Sequence, residues 1–277
     1  MIPPARRHSL IIPREHGAWG LLLVPLVVGA VAGLIAGGTA WPLAPLTILV
    51  LSLFWLRTPI ENWLGTVPTK ARTADEFRLV RRTAFALVLA AAAALLWLCA
   101  SGWSRELVWL GMIAAAAFAG QAAIRLVNKK ARTAAQMVGA AGLTAVAPAA
   151  FCVVTGRLNS EAWLLWALNF LFAANQIQFV RLRIHGAQVT GRRPKLKLGR
   201  PFLAAQFVLI LLLVTGGVTH RLGWLAALAF LPALWRGFAW FVLPFEPLVV
   251  RSLGKRELAH GIAFGVLLIL AMARVLR

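Results

Sequence analysis

Long apolar runs recur from one end of the chain to the other. They are about 16–22 residues long, rich in Ala, Leu and Val, and do not alternate apolar with polar positions. Backbone groups find no water in hydrocarbon, so runs of this kind are typical of membrane-spanning helices. We predict an all-α, polytopic transmembrane helical bundle that forms one domain over residues 1–277. Its nine spans are predicted near 17–37, 41–56, 82–100, 106–124, 134–155, 162–180, 202–219, 222–243 and 259–275.

Local signals refine this pattern. Thr73 and Glu76 have the spacing of a capping box, which predicts a helix start before the third span. Gly29, Gly33 and Gly37 repeat every four residues and predict a bare stripe on which another helix packs closely. Bends are predicted at the prolines inside spans, which are Pro25, Pro45, Pro148 and Pro232.

Charge decides the predicted orientation. The chain has 277 residues, of which 61% are hydrophobic and 13% charged, with a formal net charge of +21. Of the 29 lysines and arginines, 24 fall in the N-terminal arm and in alternate loops. Because basic loops stay in the cytoplasm, we predict that the N-terminus lies inside and the C-terminus outside. The expected partners are the bilayer and its anionic lipids, and no nucleic acid.

The basic loops near 57–81, 181–201 and 244–258 are predicted to be long, whereas those on the other side are short. Function concentrates in long loops, so the cytoplasmic face is the predicted location of a site.

Two charged motifs lie on the predicted cytoplasmic face. Arg14, Glu15 and His16 lie at the mouth of span one, either as an interfacial anchor or as part of a site. Arg57 and Glu61 are four residues apart, either as a simple intrahelical pair or as an arginine held ready for an anion.

A third motif lies at the end of span six. Asn175 and Gln178 share one helix face, and amides this deep in a span require partners inside the bundle. Arg181 follows them and could extend to lipid headgroups instead. We interpret the amides as part of a polar cavity.

These motifs together predict a basic, polar cytoplasmic pocket for an amphipathic anionic molecule, such as a lipid or an isoprenoid phosphate. The residues predicted to contact its head are Arg14, Arg57, Lys70, Arg72, Arg125 and Arg181. The residues predicted to orient these cations are Glu15, Glu61, Asn175 and Gln178, and His16 and Asn62 complete the predicted ligand-binding set. If a reaction follows binding, His16 or Glu61 is the proton carrier. We predict no metal site and no cofactor, because the long loops hold no cluster of acidic, His or Cys ligands.

The N-terminal segment Arg14-Glu-His-Gly-Ala-Trp19, followed by Pro25, and the segment from Asn175 to Arg181 resemble the YwiC-like family of bacterial membrane proteins. The resemblance covers most of the chain. It implies a bacterial plasma (inner) membrane protein, and it brings no established activity with it.

The layout is also similar to that of UbiA-type prenyltransferases, which have nine helices and active-site loops after helices two and six. Lys129-Lys130-Ala-Arg132-Thr133, with Gln136 and Gly139, looks like their segment entering helix five. That resemblance implies a UbiA-like bundle. UbiA-type enzymes hold magnesium with two Asp-rich motifs, and this chain has Asn175 and Leu182 where the second motif would carry Asp.

Whether the chain is an enzyme is therefore left open by its sequence. A transporter of a small anion or metabolite and a non-enzymatic membrane scaffold are the alternative functions. An internal repeat with broken helices would favour transport, whereas a stable partner complex would favour a scaffold.

Overall fold

The computed structural model describes residues 3–12, 16–65, 70–102, 105–127, 131–220, 222–244 and 247–275. All regular secondary structure within these ranges is helical, as predicted. The helices are α1 (Pro4–Ile11), α2 (His16–Ile35), α3 (Leu43–Trp63), α4 (Ala74–Ala100), α5 (Arg105–Val127), α6 (Arg132–Thr144), α7 (Val146–Thr155), α8 (Ser160–His185), α9 (Arg192–Val218), α10 (Trp224–Leu228), α11 (Leu231–Val242) and α12 (Val250–Val275).

Nine stretches of the described chain are long and apolar enough to cross a membrane, one for each predicted span. Helices α2 to α5, α8, α9 and α12 each supply one. The other two are interrupted and consist of α6 with α7 and of α10 with α11. The protein is therefore a multi-pass membrane protein.

Two prolines account for the interruptions. Pro148 has no N–H to donate to the carbonyl of Thr144, and α6 ends at Thr144. Pro232 likewise has no N–H to donate to the carbonyl of Leu228, and α10 ends at Leu228. The bends predicted at these prolines are thus helix breaks that lie one turn upstream.

The prediction of long basic loops from the sequence is wrong. Helix α3 continues to Trp63, α4 begins at Ala74, α9 begins at Arg192 and α12 begins at Val250, so helix occupies most of 57–81, 181–201 and 244–258. A helix satisfies its own backbone hydrogen bonds in water as well as in lipid, so charged side chains mark the edge of a span without ending its helix.

The helix start predicted at Thr73 is confirmed, although the Glu76 carboxylate accepts from the Arg72 N–H and not from the Thr73 N–H of a complete capping box. The Thr73 hydroxyl oxygen accepts from the Glu76 backbone N–H at 3.3 Å, which satisfies one of the unpaired amides of the first turn.

Close packing of α2 against α7 explains two of the three striped glycines. A Cβ added at Gly29 would lie 2.1 Å from the carbonyl oxygen of Ala147, and one at Gly33 would lie 2.8 Å from Cβ of Val154. Gly37 has open space around it and a φ of +84°, so it ends the helix without joining the packed stripe.

The helices differ in how deeply they lie in the bundle. The span formed by α6 and α7 is 72% buried over its most apolar window, against 17% for α5. The α7 segment is therefore the centre of the bundle, and α5 presents most of its surface to lipid. A second part of the core joins α8 and α12, where the rings of Phe172 and Phe264 stack with centroids 4.2 Å apart.

Alternation of the nine spans brings one set of helix ends together, and we call this end of the bundle the basic face. It is formed by the ends at His16, Trp63, Ala74, Val127, Arg132, His185, Arg192, Val242 and Val250. Contacts across it include Arg6 with Glu76 and Glu61 with Arg125. On the opposite face, the Thr39 N–H donates to the carbonyl of Val154 at 2.9 Å.

Candidate functional site

One carboxylate joins two arginines where α3 and α5 end on the basic face. Arg57 and Glu61 are one turn apart on α3, and Arg57 Nε donates to Glu61 Oε1 at 2.9 Å. Arg125, from the last turn of α5, donates to the same oxygen at 3.1 Å. The side chains are 12%, 19% and 26% exposed in the order Arg57, Glu61, Arg125, so the cluster is only partly desolvated. We call these three residues the arginine cluster.

A small hollow lies beside the arginine cluster. Its lining residues are Glu61, Leu64, Phe118, Gln121, Ala122 and Arg125. Its volume of about 10 Å³ is enough for roughly one water molecule. Gln121 is buried against Gly139 of α6, where an added Cβ would lie 2.5 Å from the Gln121 Oε1. An anion larger than water must therefore contact the cluster from outside the hollow.

Polar contacts tie the α3–α4 connection to the N-terminal helix. Arg6 of α1 forms an ion pair with Glu76 and also donates to the carbonyl of Lys70 at 3.2 Å. The hydrogen bond to Glu76 raises the pKa of Arg6. The Arg72 backbone N–H donates to the same carboxylate at 2.7 Å, and Asn62 Oδ1 accepts from the Ala71 N–H at 3.2 Å. Helix α1 thus fixes the start of α4 next to the end of α3.

A second polar cluster lies inside the bundle, where α8, α11 and α12 meet. Arg236 forms an ion pair with Glu257 and donates to Asn175 Oδ1 at 3.1 Å. The guanidinium also lies over the ring of Phe179, 4.3 Å from its centroid. The side chains of Arg236 and Glu257 are only 8% and 6% exposed. We call Asn175, Arg236 and Glu257 the buried triad.

Several polar atoms near the triad are buried without a hydrogen-bond partner among the described residues. They include Arg236 Nε, Glu257 Oε1 and both amide atoms of Gln206. Gln206 extends from α9 toward Gly237, the neighbour of Arg236, where an added Cβ would lie 2.6 Å from the Gln206 nitrogen. Gln176 supports the triad from α8, since its amide donates to the carbonyl of Glu257 at 2.9 Å.

A buried lysine closes the end of α11. Lys195 of α9 donates to the carbonyls of Trp240 and Leu243 at 3.1 and 2.8 Å. Its ammonium also lies 5.4 Å from the centroid of the Trp240 ring. Both carbonyls belong to the last turn of α11, where a cation compensates unpaired carbonyls.

The predicted site residues divide between these places. Arg57, Glu61 and Arg125 form the arginine cluster, whereas Asn175 belongs to the buried triad. Asn62 is buried and binds the connection to α4. The remaining described candidates are Lys70 and Arg72, which are exposed, Gln178, which is half-buried, and Arg181, which is exposed. Arg14 and Glu15 lie outside the described residues, and of His16 only the backbone is described, as the first residue of α2.

Sequence reasoning overlooked two members of the buried triad. Arg236 falls inside the predicted span 222–243, and a charge within a span was the signal that could have singled it out. Glu257 lies two residues before the last predicted span and had no such signal. Its relation to Arg236 depends on how α11 and α12 pack.

The donor set does not suit the magnesium ions that UbiA-type enzymes hold. No group of three or more His, Cys, Asp or Glu side chains comes together in the described ranges. Glu61 already accepts from two guanidinium groups, and Glu257 is paired with Arg236.

Comparison with known proteins gives a family match over about half of the chain. A family model described as YwiC-like protein matches residues 12–151. This range runs from before α2 into α7, so it contains the arginine cluster and ends before the buried triad. No curated protein and no solved structure matches the chain.

Proposed function

The chain belongs to the YwiC-like family, and from that premise we propose that it binds an amphipathic anionic molecule, such as a lipid or isoprenoid phosphate, on its basic face. The anionic head contacts the arginine cluster, with Lys70, Arg72 and Arg181 contributing charge from the surrounding surface. In this proposal the basic face lies in the cytoplasm of a bacterium, and the protein resides in the plasma membrane.

The observation that carries the proposal is the position of Arg125. Its guanidinium has five N–H donors, and it makes one hydrogen bond to a described residue, Glu61. The side chain is partly buried at the end of α5, where a charge-assisted hydrogen bond to phosphate or carboxylate is stronger than in bulk water. Glu61 holds the planar guanidinium in one orientation, which favours binding of an anion with two oxygens.

The surrounding charge supports an anionic partner. Of the 29 lysines and arginines in the sequence, 24 fall in the N-terminal arm and in or next to alternate connections between predicted spans. Each such charge near a membrane surface contributes roughly 1 kcal/mol toward anionic headgroups. The apolar surface of the spans offers contact for a hydrocarbon tail, which explains why the ligand is amphipathic.

Native mass spectrometry of the purified protein tests the proposal, with phosphatidylglycerol, phosphatidylcholine and farnesyl phosphate as probes. We expect the anionic probes to be retained in preference to phosphatidylcholine. Arg125→Gln and Arg57→Ala should lower retention several-fold, because each removes a cation from the head site. Arg132→Gln is the matched control, since Arg132 is an exposed arginine at the same end of the bundle and should lower retention less than either cluster variant.

Equal retention of anionic and zwitterionic probes, or full retention by both cluster variants, contradicts the proposal. Counterflow of a small anion in proteoliposomes, without lipid retention, would favour the transporter instead. A stable partner complex without either activity would favour the scaffold.

A further inference from the structure

An open groove runs between α3 and α4 on the lipid-facing side of the bundle. Its volume is about 280 Å³, and its lining residues are Leu56, Ile60 and Trp63 of α3 with Arg81, Ala84, Phe85 and Val88 of α4. This volume is just below the range of roughly 300–1,000 Å³ typical of pockets for whole small molecules. The size therefore suits one hydrocarbon chain better than a complete lipid.

The groove has a floor and two walls. Ala84 is only 2% exposed and forms the floor, because its methyl group leaves space between the two helices. Trp63, Phe85 and Val88 are exposed large side chains and form the walls. Residues on each helix recur at intervals of three, four and seven, so each helix lines the groove with a single face. In a membrane, this surface is in contact with hydrocarbon.

One end of the groove lies beside a charged residue. The surface that lines the groove is apolar throughout, so Arg81 lines it with the aliphatic part of its side chain. Helices α3 and α4 run antiparallel, so Trp63 and Arg81 lie together at the end nearer the basic face, and Leu56 lies with Val88 at the deeper end. Seven helical residues separate the two ends, which corresponds to about 10 Å. Tryptophan at the interface and arginine at headgroup depth are the positions these residues prefer in membranes. Arg81 is the one charged side chain among the residues that line this groove.

We propose that this groove binds an anionic phospholipid, with one acyl chain between α3 and α4 and its phosphate hydrogen-bonded to Arg81. The chain fits the apolar walls, and the charge of Arg81 selects an anionic headgroup over a zwitterionic one. The site is distinct from the arginine cluster, because Arg57 and Glu61 project from the adjoining face of α3, about 100° further around the helix from Leu56 and Ile60. It therefore does not depend on the proposed function.

Photo-crosslinking tests this site, with phosphatidylglycerol that carries a diazirine on one acyl chain and the matching phosphatidylcholine as probes. The purified full-length protein is reconstituted, irradiated and mapped by peptide mass spectrometry. We expect labelling of the α3 and α4 segments that line the groove, stronger with phosphatidylglycerol. Arg81→Gln should lower that labelling at least about tenfold, because a hydrogen bond to a charged group contributes roughly 1.5–3 kcal/mol, more than one basic residue at the membrane surface contributes by its charge alone. Arg82→Gln is the matched control, since Arg82 is exposed on α4 but does not line the groove.

A second pair of variants tests the chain position. Val88→Phe fills the deep end of the groove and should lower labelling, whereas Leu89→Phe introduces the same side chain at an exposed position outside it. Equal labelling by both lipids, or labelling unchanged in Arg81→Gln, overturns the headgroup assignment. Labelling unchanged in Val88→Phe overturns the chain assignment. Failure of the proposed function is distinguishable, because Arg125→Gln should leave groove labelling unchanged.

Discussion

Removal of one member of the buried ion pair is the perturbation with the largest expected effect. Glu257→Ala leaves the Arg236 guanidinium buried in the bundle, with Asn175 and the ring of Phe179 as its contacts. Breaking a buried pair from one side typically costs about 3–5 kcal/mol, because the remaining charge is uncompensated. The contact with the ring and the hydrogen bond to Asn175 are present with and without the Glu257 carboxylate, so they cancel in the comparison. We therefore expect a destabilisation of about 3–5 kcal/mol.

The double variant Arg236→Met with Glu257→Leu shows whether the instability comes from an unpaired buried charge or from lost side-chain packing. Replacing both charges by apolar groups of similar volume is often neutral or stabilising. The double variant should therefore be more stable than Glu257→Ala. In a double-mutant cycle with the single variants Arg236→Met and Glu257→Leu, we expect a coupling energy of about 2–3 kcal/mol. The assay is unfolding of the purified protein by sodium dodecyl sulfate in mixed micelles, followed by circular dichroism.

An exposed ion pair provides the matched control. Asp75 and Arg78 are 3.8 Å apart with side chains 68% and 59% exposed, so Asp75→Asn should change stability by less than about 1 kcal/mol. Two results would contradict this reasoning. Either Glu257→Ala lowers stability no more than Asp75→Asn does, or the double variant is as unstable as Glu257→Ala. Burial of the Arg236–Glu257 pair would then not determine how much the pair contributes to stability.

Three further substitutions probe packing and hydrogen bonding, each measured by thermal unfolding in detergent. Gly29→Ala should destabilise the protein by more than about 1 kcal/mol, because its methyl group would meet a backbone carbonyl of α7 at 2.1 Å. Gly111→Ala is the control, since Gly111 has open space around it and the change should be neutral or stabilising. Similar stabilities of the two variants would contradict the close α2–α7 contact. Gln206→Leu should stabilise by about 1–3 kcal/mol, because it replaces a buried amide that has no partner among the described residues; a loss of stability would show that the amide is satisfied. Thr73→Ala should cost about 1 kcal/mol through loss of the α4 cap, and Thr73→Ser should retain most of the wild-type stability.

Local patterns in the sequence predicted the features that depend on neighbours along one helix. The cap at Thr73 and the pair of Arg57 with Glu61 are formed within one turn, so spacing alone was sufficient to identify them. The close approach at Gly29 and Gly33 also followed from their repeat, although the partner helix did not. Helix ends were predicted less well, because a charged side chain marks the edge of a span but does not stop the helix.

Apolar length and the placement of charge are properties of the chain itself, and they predicted the nine stretches of the described chain that are long and apolar enough to cross a membrane. Hydrocarbon demands helices about 20 residues long whatever their neighbours are, so no knowledge of packing was needed. Contacts between distant segments depend on which helices become neighbours. Only the tertiary structure brought Arg125 to Glu61, 64 residues away, and Arg236 to Glu257 and Asn175 across three helices. The energies that select neighbouring helices arise from side-chain packing over whole surfaces, and no local spacing in the sequence specifies them.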